Sequence, residues 1–245
     1  MRYWLNSPDK VHPEEFEKRS AAVCQTYAAA AELHQRGTHT ISVDEKTGMQ
    51  ALERAVATLP MKPGQIERQE ADYIRHGTQV LTANFEVATG KVICPTIGDT
   101  RNEQDFAAHI AQTVASDPQA AWIFVMDQLN THQSQALVQL VATFCGITSD
   151  LGVKGKSGIL ESMPTRRAFL EDTTHRIRFV YTPRHASWLN QVEIWFSILA
   201  RRVLKRANFT STANLREKLS AFIEYFNSTM AKVFRWTYKG KPLTI

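Results

Sequence analysis

Cysteine is scarce in this chain, and its three copies, Cys24, Cys94 and Cys145, stand far apart with no CxxC pairing. That spacing excludes a zinc knuckle and a secreted disulfide framework, and three buried thiols are expected instead. Long apolar runs are also missing. No stretch approaches the roughly 18 apolar residues of a membrane span, and Met1-Arg2-Tyr3-Trp4-Leu5 has no apolar signal core, so a cytoplasmic protein without membrane contact is expected. No HExxH pattern occurs. Gly155-Lys156-Ser157 resembles the end of a phosphate-binding P-loop, but the glycine required earlier falls on Asp150, so that motif fails.

What is present is a globular composition, with 43% hydrophobic and 22% charged residues over 245 positions, enough for one main domain. The net charge of +5 is unevenly spread: seven basic residues and a single acid, Glu193, lie between Arg176 and Arg206. Such a segment suits an anionic partner bound through its phosphates, although a solvated helix face explains the charge equally well.

Pro13-Glu14-Glu15 opens a helix that Gly37 closes. Thr38 to Val43 is β-branched at strand spacing and ends at Asp44, with Lys46-Thr47-Gly48 read as a turn. Two further strands, Tyr73 to Val87 and Lys91 to Thr96, join through Ala88-Thr89-Gly90 as an antiparallel hairpin. Phe106, Ile110 and Val114 mark an amphipathic helix over Glu103 to Ala115. The run Ala121 to Met126 is apolar throughout, as a strand covered on both faces requires, and it stops at Asp127. A helix follows over Ser134 to Phe144, then a glycine-punctuated insertion at 146–174, a strand over Ile177 to Tyr181, a helix from Ser187 as N-cap to about Arg206, and another over Thr212 to Asn227. This order implies an α/β fold, a mixed sheet with helices on both faces.

Asp44 and Asp127 thus end two strands, where open α/β sheets place their sites. Glu193 falls at the rim of a helical apolar face formed by Trp188, Val192, Phe196, Leu199 and Val203. Convergent carboxylates are what hard divalent cations need for phosphodiester chemistry. Taken singly, each of these acids is equally well a turn, a cap or a solvent-facing glutamate paired with Arg201.

Three segments, Val43-Asp44-Glu45-Lys46, Phe124 to His132 and Tyr181 to Glu193, together and in this order resemble the bacterial insertion-sequence transposases of the mariner superfamily. The resemblance covers about residues 38–228. It implies an RNase H-like domain with a five-stranded sheet, an antiparallel meander plus parallel strands, and an acidic triad, here Asp44, Asp127 and Glu193, that is both catalytic and metal-binding. Two magnesium ions, replaceable by manganese, double-stranded DNA as transposon end and target, and a synaptic homodimer are implied with it. Glu193 lies 66 positions after Asp127, longer than usual for such proteins, and the excess corresponds to the insertion at 146–174, whose length adds little closure entropy. Relatives carry an N-terminal helix-turn-helix, whereas about 37 residues precede the first strand here. A catalytic fragment, a truncated product or one half of a split enzyme is therefore expected.

The expected organisation is a linker and helix at 1–37, the catalytic domain at 38–228 and a basic aromatic tail at 229–245. DNA contacts are expected from Lys154, Lys156, Arg184, Arg201, Arg202 and Lys205. His132 and His185, beside the motifs, are expected to be structural, and Trp188, Trp195 and Phe196 to be core. The competing readings are a transposase-derived DNA-binding protein without chemistry and another RNase H-like nuclease.

Overall fold

The computed structural model describes residues 13–68, 72–205 and 207–238. Residues 1–12 of the expected linker, Arg206 of the basic segment and Lys239 to Lys241 of the tail lie outside the described residues.

Five strands form one sheet in the order β3-β2-β1-β4-β5, with β1 Thr38–Arg54, β2 Tyr73–Glu86, β3 Lys91–Gly98, β4 Ala121–Met126 and β5 Ile177–Tyr181. β1, β2 and β3 run as an antiparallel meander, and β4 and β5 add in parallel on the other side of β1. β4 lies inside the sheet, with Trp122, Phe124 and Met126 covered on one face and Val125 on the other, which is why its sequence is a continuous apolar run. The helices are α1 Pro13–Gln35, α2 Glu103–Ala115, α3 Gln135–Phe144, α4 Met163–Leu170, α5 Val192–Leu199 and α6 Thr212–Thr229.

Strand alternation sorts the core into two layers. Ile41, Val43, Trp122, Phe124, Met126, Phe179 and Tyr181 pack with α2, α3 and α4 on one face. On the opposite face Leu81, Ala83 and Phe85 meet α5 and α6, while Val125 meets α1. Among the described residues no helix is long and apolar enough to cross a membrane.

Several expectations are corrected. β1 does not end near Asp44 but continues to Arg54 beside β2, and Lys46-Thr47-Gly48 is a register shift between Lys46 and Met49. Gly48 supplies the positive φ of 68° there, so a bulge in a continuing strand carries the turn-like signature. The insertion contains α4, which Ser162 caps reciprocally with Thr165, and Leu160 and Leu170 anchor it in the core. The helix expected from Ser187 is divided into a 3₁₀ turn Ser187–Leu189, α5, and a π turn Ala200–Leu204. Gln191, not Ser187, occupies the cap of α5. With helical spacing broken at Asn190, Trp188 leaves the apolar face and is 47% exposed, while Trp195 and Phe196 are buried as expected. The three cysteines are free and half-buried rather than fully buried.

The tail packs back over the domain. Phe234 stacks on Phe85 with ring centroids 4.5 Å apart, and Trp236 meets Tyr27 edge-on at 5.1 Å. Trp236 Nε1 points at Cys24 Sγ, 3.4 Å away.

Candidate functional site

The β1–β4 ladder sets the site. Ser42 pairs with Val125 in parallel register, so Asp44 and Asp127 each follow two residues later, on the sheet face that carries Val125 and α5. Asp127 is the first residue beyond β4, and Asp44 continues in β1 opposite Ala83 of β2. Glu193 lies in the first turn of α5, on the same face.

A buried clamp holds α5 to that point. Asn190 is fully buried; its Nδ2 donates to the Val43 carbonyl at 2.9 Å and to Asp44 Oδ2 at 3.4 Å, and its Oδ1 accepts from the Ser42 hydroxyl. Ser42 Oγ in turn accepts from the Val192 amide at 2.8 Å. The clamp reaches the Val43 carbonyl where the β1–β4 ladder has ended, so an orphan backbone acceptor is satisfied by the residue three positions before Glu193.

Burial pushes Asp44 up to about 7, and the negative charges of Asp127 and, less strongly, Glu193 push in the same direction, against the Glu45 amide and His132. Burial also works against ionisation of Asp127, but its hydrogen bond to His132, the charge of that ring and the Leu129 amide outweigh burial and leave it below the ordinary carboxylate range. Both bonds fall on Oδ1: His132 Nδ1 at 2.7 Å and the Leu129 amide at 3.0 Å. The Glu193 carboxylate makes no hydrogen bond or ion pair among the described residues, so the alternative of pairing with Arg201 does not hold.

His132 is the residue that sequence reasoning undervalued. It is completely buried. Burial disfavours its charged form, yet the hydrogen bond to Asp127 and the nearby charges of Asp127 and Glu45 raise it to about 9. Glu45 Oε2 lies 3.7 Å from its Nε2 and 3.9 Å from Arg101 Nη1, and Tyr181 donates to its carbonyl at 2.7 Å. His132 is therefore a buried partner that holds Asp127 from behind. His185, also expected to be structural, is instead exposed with a left-handed φ of 53°, on the wall of a groove that Asp127, Gln128, Pro183 and Arg184 also line. The insertion reaches this groove through Arg167, whose Nη1 donates to Gln128 Oε1 at 2.9 Å.

The six expected DNA-contacting side chains, Lys154, Lys156, Arg184, Arg201, Arg202 and Lys205, are all exposed. Arg184 lines the Asp127 groove, Lys154 pairs with Glu103 at 3.7 Å, and Arg201, Arg202 and Lys205 cluster at the end of α5. Arg176, counted in the basic segment, is structural, donating to the carbonyls of Ala120 and Phe144.

Three carboxylates form an all-oxygen donor set that suits a hard divalent cation. Asp44, raised first by its burial and then by the charges of Asp127 and Glu193, is the observation that fits one: a doubly charged ion beside it would favour its ionised form. None of the three belongs to a group of His, Cys, Asp and Glu side chains whose ligating atoms all lie within 4.8 Å of one another, among the described residues. The arrangement is thus an open one, wider than a closed cage.

Sheet order, helices on both faces and acids at the β1/β4 switch define an RNase H-like α/β domain. The model of the DDE superfamily endonucleases matches residues 39–216, and the chain belongs to that family. Its fold is similar to that of the Mos1 mariner paired end complex with Mn, at a TM-score of 0.51 and 14% identity over 92% of this chain. It is likewise similar to the Mos1 transposase paired-end complex with left transposon end, at 0.50 and 13% over 91%. In both cases the match spans 59% of the solved chain. A comparison with curated protein sequences gives no match.

Proposed function

We propose that this chain is the catalytic part of a mariner-type, insertion-sequence DNA transposase that cleaves DNA strands and joins them to a target. The observation that carries the reading is the parallel register of Ser42 with Val125, which sets Asp44 and Asp127 on one sheet face, together with the clamp that ties the start of α5 to β1 there. Family membership supports nuclease chemistry. The two solved structures are paired-end complexes, one of them with the left transposon end, and their fold is similar to the one found here.

Asp44, Asp127 and Glu193 would together hold two magnesium ions, or manganese in their place. Bound there, the metals would supply Lewis-acid activation of the attacking oxygen, from water in cleavage or from a DNA 3′-hydroxyl in strand transfer, and charge stabilisation for the leaving oxygen. The protein's own contribution is placement. His132 and the Leu129 amide hold Asp127 Oδ1, leaving Oδ2 for a ligand; Asn190 and the Glu45 amide orient Asp44; and α5 carries Glu193 with no competing partner among the described residues. Double-stranded DNA would lie across the groove at Asp127, with Arg184 and the basic end of α5 on its phosphates, in a synaptic homodimer.

Magnesium-dependent nicking of supercoiled plasmid is the test. Asp127→Ala and Glu193→Ala should each lower nicking by a thousandfold or more while circular dichroism stays unchanged, and full activity in either variant would reject the assignment. Inactivity of the wild-type chain on duplex DNA, with retained DNA binding, would instead support the non-catalytic reading. Cleavage confined to RNA–DNA hybrids would support a different RNase H-like nuclease.

A further inference from the structure

A second cluster of ligating side chains lies at the other end of β1. His34 is in the last turn of α1, His39 is the second residue of β1, and Glu86 is the last residue of β2. Their ligating atoms all lie within 4.8 Å of one another. Five residues of strand separate His39 from Asp44, about 17 Å at the strand rise, so this cluster is distinct from the triad.

Each member is set up as a ligand. Gly37, with φ 77°, turns the chain between α1 and β1 and brings the two imidazoles edge-on with centroids 5.5 Å apart. His39 is fixed by stacking on Trp122 at 4.3 Å. Its Nδ1 faces Glu86 Oε1 at 2.6 Å, and its Nε2 faces Asp117 Oδ2 at 3.2 Å. Glu86 is 5% exposed; its Oε2 is engaged by the Thr89 hydroxyl at 2.6 Å, which leaves Oε1 turned to both rings. His34 Nδ1 lies 3.6 Å from that oxygen, and it is a buried atom without a hydrogen-bond partner.

The protein-only arrangement leaves His34 Nδ1 buried without a hydrogen bond, although Glu86 Oε1 lies 3.6 Å away. A metal ion among the two Nδ1 atoms and Glu86 Oε1 would give that atom a partner and take one ligand from each residue. His39 then donates its Nε2–H to Asp117, the carboxylate–histidine–metal arrangement that orients ligands in zinc sites. Tetrahedral ligands of zinc sit about 3.4 Å apart, so the His34–Glu86 separation already fits, and His39 and Glu86 must part by less than about 1 Å.

We propose that His34, His39 and Glu86 form a zinc site, with Asp117 orienting His39, that staples the end of α1 to β1 and β2. Two nitrogens and one oxygen select a borderline ion such as zinc over magnesium. The fourth position is open to water, and the half-exposed His34 gives entry.

The test is a thermal melt of the full chain in millimolar magnesium, which occupies hard oxygen sites, with zinc added to about 100 µM. Wild type should take up one zinc per chain and gain on the order of 5 °C once zinc is about a hundredfold above its Kd. His34→Gln, at a half-exposed position that should fold normally, should abolish both. Asp117→Asn should weaken binding by tenfold or more, and Asp127→Asn should leave the zinc shift intact. Cobalt in place of zinc should give the visible absorption of a tetrahedral centre in wild type and not in His34→Gln. No uptake, an equal shift in His34→Gln, or a shift lost only in Asp127→Asn would overturn the proposal. None of these results depends on whether the transposase reading holds.

Discussion

Asn190→Ala offers a quantitative test of how the site is built. The side chain joins β1 to the start of α5 through the Ser42 hydroxyl, the Val43 carbonyl and Asp44 Oδ2. Alanine strands two groups that stay buried, the Ser42 O–H and the Val43 carbonyl. At about 1–2 kcal/mol for each polar group left unsatisfied, the loss is about 3 kcal/mol. For a domain of this size that lowers Tm by roughly 10 °C. Urea unfolding should show a lower midpoint with an unchanged slope, because the native surface is not altered. A double-mutant cycle with Ser42→Ala should return a coupling of about 1 kcal/mol or more. Nicking at a temperature where the variant stays folded should also fall by about tenfold or more, since Glu193 is three residues from the lost anchor. A destabilisation under about 1 kcal/mol, or additive effects with Ser42→Ala, would refute the idea that this clamp positions α5.

Other expectations concern pH, backbone and charge. His109 is buried among Asn84 and Thr96, and burial lowers it to about 3. Above its unfolded value of about 6.5 it is neutral in both states; below that the unfolded chain takes up a proton that the folded one refuses. Stability should therefore fall by about 1.4 kcal/mol per pH unit between about 6.5 and 3, and His109→Gln should remove that slope in urea titrations. Gly90 has φ 71°, and a Cβ there would meet the Lys232 carbonyl at 2.1 Å. Gly90→Ala should cost about 2 kcal/mol or more and expose the segment after α6 to limited proteolysis. Replacing Arg201, Arg202 and Lys205 together with alanine should weaken nonspecific DNA binding and reduce its log–log salt slope by up to about 3, as read by fluorescence anisotropy. An unchanged slope would remove them from the interface.

The elements readable in the sequence were those whose burial is simple. β4 is covered on both faces and reads as an apolar run; α2 is covered on one and reads as a stripe. β1 beyond Asp44 was hidden because a bulge at Lys46 to Gly48 uses the residues of a turn, and only its register with β2 shows that the strand goes on. α4 was hidden by its glycine-rich surroundings, although Ser162 with Thr165 and Pro164 at its start is a helix-opening signal. The triad residues could be named from three ordered motifs, but what holds them could not. Glu45 follows Asp44 directly, yet strand alternation turns it to the opposite face, where it meets His132 rather than the other acids. Asn190 lies within the third motif, and its buried link to Val43 is a contact between residues 147 positions apart that no local pattern records.

The most direct measurement is a crystal structure soaked in manganese, with anomalous density to locate the ions. Peaks bonded to oxygens of Asp44, Asp127 and Glu193 are the result expected here. Manganese sites that leave out any one of those carboxylates, in crystals where the chain also nicks DNA, would contradict it.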